Sequence, residues 1–173
     1  MSNLRTMEEM NRRYRTYTPE QAYVKIRHYC AFQERTHQEV KMKLRGYGLA
    51  WTDIEQMISR LIEEGFLNEE RFAAAFVGGK FRMKQWGRKK IEMELRKKQV
   101  SEYNIKKALR DEIDMDEYQK TIAKLIEKKW YSIKPADDTS YVKQAKTRAY
   151  LIQRGFENNL ISEGIKLFIQ SDK

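Results

Sequence analysis

One helical pattern occurs three times in this chain, and that repetition constrains the fold more than any other feature. Leu44, Leu95 and Leu151 set the register. Four residues beyond them stand Gly48, Gln99 and Gly155, where a helix is expected to end; five beyond stand Leu49, Val100 and Phe156, apolar residues after the turn. Ten beyond come Ile54, Ile105 and Ile161, and fourteen beyond come Ile58, Leu109 and Ile165. The copies are 51 and 56 residues apart (95 − 44 and 151 − 95). Self-similarity of this kind marks a tandem repeat.

A unit of about 50 to 60 residues buries only about 60% of its unfolded surface when it folds alone, so the units are expected to lean on one another. Two prolines and eight glycines in 173 residues are too few turn formers for a strand-rich chain. The expectation is an all-α protein of three tandem three-helix repeats, over residues 18–67, 68–113 and 114–173, behind a loose tail at 1–17.

Capping residues place the helices. Thr18, Pro19 and Gln21 supply an N-cap, a first-turn proline and a capping-box partner; Thr36 with Glu39 and Thr52 with Glu55 repeat the box. Asn68, Ser101, Asp114 or Asp116, and Thr139 or Ser140 are the caps expected further on, while the turn at 46–48 and Gly65 close helices. Apolar stripes follow: Ala22, Ile26, Tyr29 and Cys30; Ile54, Ile58, Leu61 and Ile62; Phe72, Ala75, Phe76 and Met83; Tyr118, Ile122, Leu125 and Ile126. Gly78 and Gly79 inside the fourth helix predict a kink or the close approach of another helix. The acidic run at 111–117 reads as a linker, and the segment 132–140 as the longest loop.

Few residues suit catalysis. His28 and His37 are nine apart, off the spacing that puts two imidazoles on one helix face. Asp111, Asp114 and Asp116 lack the central glycine and closing glutamate of a calcium loop. Gly79 and Lys80 resemble the end of a phosphate-binding loop, but Ala74 replaces its first glycine and Phe81 its Ser or Thr. Cys30, the only cysteine, excludes an intramolecular disulfide and falls in an apolar stripe. No enzyme, cofactor or metal site is expected. No stretch is apolar enough to span a membrane, and the first fifteen residues lack a signal-peptide core, so a cytoplasmic protein is expected.

Charge is the informative property. The net charge is +10, and residues 80–110 carry twelve Lys or Arg against Glu92, Glu94 and Glu102, or +9 (12 − 3). Residues 51–79 carry six acids against Arg60 and Arg71, or −4. A basic block beside an acidic one suits a polyanion or an acidic protein surface, or else forms a solvated helix face. The candidate contact residues are Lys80, Arg82, Lys84, Arg88, Lys89, Lys90, Arg96, Lys97 and Lys98, with Trp86 and Tyr103 among them. Lys and Arg neutralise phosphates, and an exposed aromatic stacks on an unpaired base. Trp86 is alternatively a core anchor beside Gly87. Arg12, Arg13 and Arg15 offer a second basic cluster.

The segment NEERFAAAFV, the glycine-led GRKKIEMELRKKQVSEYNIKKAL and the closing KTRAYLIQRGFENNLISEGI resemble the RecX family of bacterial regulatory proteins, over roughly residues 20–168. Two details differ from the usual family pattern: Asn68 stands where an acidic residue is common, and the segment after the FAxxFV helix reads GGKFRMKQWG. The resemblance implies an elongated, curved array of three units that binds RecA filaments on DNA. It implies limited filament growth or favoured disassembly, with RecA's ATP hydrolysis, strand exchange and co-protease activity damped. The implied partners are the RecA filament and single- or double-stranded DNA, with no membrane and no cofactor. With no long apolar seam, a monomer is expected. Two rival readings are a helical nucleic-acid binder independent of RecA and a scaffold for an acidic protein.

Overall fold

The computed structural model describes residues 17–134 and 139–171. Arg12, Arg13 and Arg15 lie outside them, as does the middle of the 132–140 segment. Nine helices and no strands occur among the described residues: α1 (Pro19–Phe32), α2 (His37–Arg45), α3 (Trp51–Glu63), α4 (Glu69–Lys84), α5 (Arg88–Lys97), α6 (Glu102–Glu112), α7 (Met115–Tyr131), α8 (Ser140–Gln153) and α9 (Asn158–Ser171). The array is helical throughout, and it divides into two compact units between Phe72 and Ala73. No helix of the described residues is long and apolar enough to cross a membrane.

The recurring offsets have a structural cause. Gly48, Gln99 and Gly155 all adopt left-handed backbone, with φ of 84°, 58° and 87°. After α5 the Val100 N–H donates to the Leu95 carbonyl at 3.2 Å, and after α8 the Phe156 N–H donates to Leu151 at 3.1 Å. Each bond reaches back across the left-handed residue and satisfies a carbonyl that the helix end would leave open. The apolar residue after the turn is thereby folded inward: Val100 and Phe156 are buried and Leu49 half-buried. The residues that set the register, Leu44, Leu95 and Leu151, are fully buried, as are Ile54, Ile105 and Ile161.

Most caps form as the sequence indicates. Thr18 with Gln21 and Thr36 with Glu39 close both bonds of the capping box. Asn68 accepts the Arg71 N–H at 2.8 Å, Ser101 that of Asn104 at 3.4 Å, Asp114 that of Glu117 at 3.0 Å and Thr139 that of Val142 at 3.3 Å. Thr52 is an exception. The helix begins earlier, at Trp51, with Ala50 as an N-cap that offers no side-chain bond. Tyr17, before the first cap, donates its N–H to the Tyr47 carbonyl at 3.1 Å and packs its ring edge-on against Tyr47.

The acidic run at 111–117 is mostly helix rather than linker: α6 extends to Glu112 and α7 starts at Met115, leaving only the buried Ile113 and the cap Asp114 between them. The buried face of α4 is Phe72, Ala73, Val77 and Phe81, so the expected stripe is rotated: Ala75 is exposed and Met83 is 81% exposed. Helix α4 runs unbroken through Gly78 and Gly79, and it is side chains, those of Arg82 and Glu112, that close on Gly78. Ile62 likewise faces outward.

In the first unit α1, α2 and α3 pack on one another around Ile26, Val40, Leu44, Ile54 and Leu61. Cys30 belongs to this core, where burial pushes its thiol up to about 11, so it is a small apolar residue and not a nucleophile at neutral pH. In the second unit α5 packs on α6, and α7, α8 and α9 pack on one another.

Candidate polyanion and protein interface

The basic block lies on α4, α5 and α6 and on the turns between them. The N-cap of α5 is Gly87, whose backbone is extended and whose N–H donates to the Arg154 carbonyl at 2.8 Å. The Lys89 N–H donates to the Gly155 carbonyl at 3.0 Å, and the Arg154 guanidinium donates to the Lys84 carbonyl at 3.0 Å. The turn before α5 is thus bonded to the turn between α8 and α9. The approach is so close that a Cβ on Gly87 would overlap the Gly155 backbone, and a Cβ on Gly155 would overlap the backbone of Lys90. Only glycine fits at both points.

A buried polar chain lies below this clasp. The Tyr118 hydroxyl, on a fully buried side chain, accepts the Arg88 N–H at 3.0 Å and donates to Glu157 Oε2 at 2.7 Å. Phe81 and Phe156 pack on its ring, with centroids 5.7 and 5.2 Å away. Burial first, and the bond to Glu157 second, raise the phenol's pKa, so it stays protonated. The Arg88 guanidinium lies 4.4 Å over the same ring and donates to the Ile113 carbonyl at 3.4 Å. Arg88 is therefore turned into the protein. The first two N–H groups of α5, those of Arg88 and Lys89, are thus both spent on internal partners.

Carboxylates engage much of the remaining charge. Arg96 pairs with Glu92 and Glu102, both at 2.6 Å; Lys97 pairs with Glu94 at 2.8 Å; Lys107 and Arg110 pair with Asp111 at 2.8 Å; and Arg82 reaches Glu112 at 3.3 Å. These contacts show in the titration of the acids. The Arg96 bond holds Glu102 below its ordinary range, Lys97 does the same for Glu94, and Arg110 followed by Lys107 lowers Asp111 to about 2. Lys98 also has interactions of its own.

The residues that keep their charge cluster at the α4–α5 turn. Lys84 and Lys89 are exposed and have no carboxylate partner among the described residues. Lys80 and Lys90 hold their ammonium groups 5.1 and 4.5 Å from the Trp86 ring centroid. Trp86 is half-buried: it is neither a core anchor nor an open platform, but an indole with two cations over it. Tyr103 is well exposed on α6. The sequence gives no direct sign of Arg154, Tyr118 and Glu157, which organise this region. The only pointer is the pair of glycines, Gly87 and Gly155, each beside a helix end. Among the described residues no group of three His, Cys, Asp or Glu is placed to hold a metal ion.

Two family models match the chain: the second three-helix domain of RecX over residues 68–109 and the third over residues 116–165. The regulatory protein RecX of Pelodictyon phaeoclathratiforme is 31% identical over 139 residues, spanning 78% of this chain and 82% of that relative. The chain belongs to the RecX family. A RecX relative from Oceanobacillus iheyensis is 29% identical over 145 residues; the match takes in 84% of this chain and 52% of that relative, so the chain spans about half the length of some RecX proteins it matches. The crystal structure of RecX from Lactobacillus salivarius superimposes with a TM-score of 0.77 at 26% identity, covering 86% of this chain and 94% of that one. The clasp around Gly87 and Gly155 joins the segments matched by the second and third RecX domain models.

Proposed function

We propose that this RecX protein binds RecA filaments on DNA and inhibits RecA's ATP hydrolysis, strand exchange and co-protease activity by limiting filament growth or promoting disassembly. DNA repair and recombination are thereby modulated. The protein acts in the cytoplasm, as a monomer and with no active site of its own. Its three tandem units, over 18–67, 68–113 and 114–173, engage successive subunits of a repeating partner. Family membership supports the choice of partner. The observation that carries the contact is the set of cations left without carboxylates at the α4–α5 turn, Lys84 and Lys89 beside Lys90 and Trp86. These face filament DNA or an acidic RecA surface, and the carboxylate-paired Arg82, Arg96 and Lys97 contribute less.

The deciding measurement is ATP hydrolysis by the same organism's RecA on single-stranded DNA, titrated with this protein, beside DNA binding measured without RecA. Inhibition well below the concentration that coats bare DNA is the expected result. Inhibition only where the DNA is already coated would make the protein a RecA-independent nucleic-acid binder instead. Reversing Lys84, Lys89 and Lys90 to Glu together is expected to abolish filament binding at unchanged helicity.

A further inference from the structure

The last copy of the repeat differs from the others on its outer face. Nine and sixteen residues beyond Leu44 stand Asp53 and Arg60, beyond Leu95 stand Asn104 and Asp111, and beyond Leu151 stand Leu160 and Leu167. Thirteen beyond come Met57, Ala108 and Gly164. In the first two copies the outer charges are engaged: Arg60 holds Glu64 at 2.8 Å, and Asp111 takes Lys107 and Arg110, both at 2.8 Å. In the last copy the same places are leucines, and Leu167 is 59% exposed.

The result is an open apolar groove of about 580 Å³ between α7 and α9. Leu160, Leu167 and Phe168 line it from α9, and Ile122 and Ala123 from α7. Gly164 sets its depth. A Cβ there would come within 2.7 Å of Ile126 Cδ1 and 3.2 Å of Ile122 Cγ2, so the helices approach closely and the floor stays low between the flanking leucines. Phe168 is held in place by edge-on contacts with Trp130 and Tyr131. From Leu160 to Ser171 the α9 lining runs about 16 Å, or three helical turns.

The edges are charged. On α7, Lys120 lines the groove and Lys124 stands one turn further on; both are exposed, and neither meets a carboxylate among the described residues. On the α9 side the exposed Glu163 lines it.

We propose that this groove seats an amphipathic helix of a partner protein, its apolar face on Leu160, Leu167 and Phe168 and its carboxylates along the edge that meets Lys120 and Lys124. A trough three turns long accepts apolar anchors at the i, i+3 or i+4, and i+7 positions of a helix. Glu163 repels acids on the other edge, so the acidic row has one orientation. A nucleic acid would use the lysines and leave the leucines idle, and two copies of a chain with net charge +10 repel each other. The surface requires neither RecA nor DNA, so it stands or falls separately from filament recognition.

The test is fluorescence anisotropy of two labelled synthetic helices of about four turns, with the same leucine face and an edge row of either Glu or Lys, titrated with the full chain. The Glu-edged helix should bind roughly fivefold tighter than the Lys-edged one, as two exposed ion pairs allow. Lys120→Glu with Lys124→Glu should reverse that preference. Leu167→Glu replaces an exposed side chain, so its fold is expected to be intact, and it should weaken both helices by about tenfold or more. Phe32→Glu, at an apolar side chain 87% exposed on α1, should leave both unchanged. Absence of binding by the Glu-edged helix would overturn the proposal, as would an acid preference that survives the double reversal or equal losses in Phe32→Glu and Leu167→Glu. So would a concentration-dependent dimer in sedimentation that Leu167→Glu abolishes, because the occupant would then be a second copy of the chain.

Discussion

The α5–α6 hairpin of the second unit and the α2 surface of the first carry the same kinds of residue and use them differently. On the hairpin, Arg96, Lys97, Lys107 and Arg110 end on carboxylates, and Arg88 ends on Tyr118 inside the protein. On α2, Lys43 and Arg45 end on Tyr29, Tyr47 and Trp51. The stretch with the larger formal charge thus spends much of it internally, while on the less basic stretch only Lys41 meets a carboxylate among the described residues, that of Glu55 at 3.0 Å. A count of Lys and Arg measures a segment's total charge, and partner chemistry decides how much of it a ligand meets.

The equivalent turns of the repeat offer the strongest way to probe this contrast. Gly155→Ala places a Cβ against the Lys90 backbone and puts a side chain at φ 87°, so a loss of about 3 kcal/mol or more is expected in denaturant unfolding. Gly48→Ala has the same backbone demand in an exposed turn of the first unit, and about 1 kcal/mol is expected there. Equal losses would mean that the clasp between the α4–α5 and α8–α9 turns adds no constraint.

Removing one hydroxyl comes next. Tyr118→Phe leaves the Arg88 N–H and Glu157 without their partner in a buried site, and should cost about 2 kcal/mol. A loss below about 0.5 kcal/mol would show that water or a neighbour replaces the bond.

Smaller effects are expected on the paired cations. Arg96→Gln with Lys97→Gln should change filament binding by less than about twofold, since both side chains already hold carboxylates. A loss as large as that of the Lys84, Lys89 and Lys90 variant would move the contact to the hairpin.

The pH dependence should also differ between the two regions. Arg110 and then Lys107 depress Asp111 from its ordinary 3.8 to about 2, so its contribution to stability is complete above about pH 4 and is lost as pH falls through about 2. Glu94 and Glu102 shift in the same direction. Carboxyl NMR titration should give Asp111 a midpoint well under 3.8, and a midpoint at or above that value would mean the pair does not persist in solution. Lys43 and Arg45 of α2 rest on rings and hold no carboxylate among the described residues, so no such loss is expected from them.

Parts of this division were open to sequence reasoning. Arg88 stands three residues before Ile91 and seven before Leu95, on the face that α5 buries, so helical spacing alone turns it inward. Glu92 with Arg96, and Lys107 with Asp111, are four apart and pair as such spacings do. Trp51 was hidden because Thr52 and Glu55 imitate a capping box and move the expected helix start past it. The bonds of Arg96 to Glu102 and of Arg82 to Glu112 cross between helices, and local spacing says nothing of them.

By itself the sequence determined the helices, most of their caps, the left-handed turns and the inward-facing Leu and Ile positions, because each depends on atoms within about one or two helical turns. Tertiary structure decided which glycines are irreplaceable, which cations remain uncancelled and which aromatic rings lie beneath them. Those properties depend on distances between residues such as Gly87 and Gly155, or Lys43 and Tyr29, which only packing of the helices brings together.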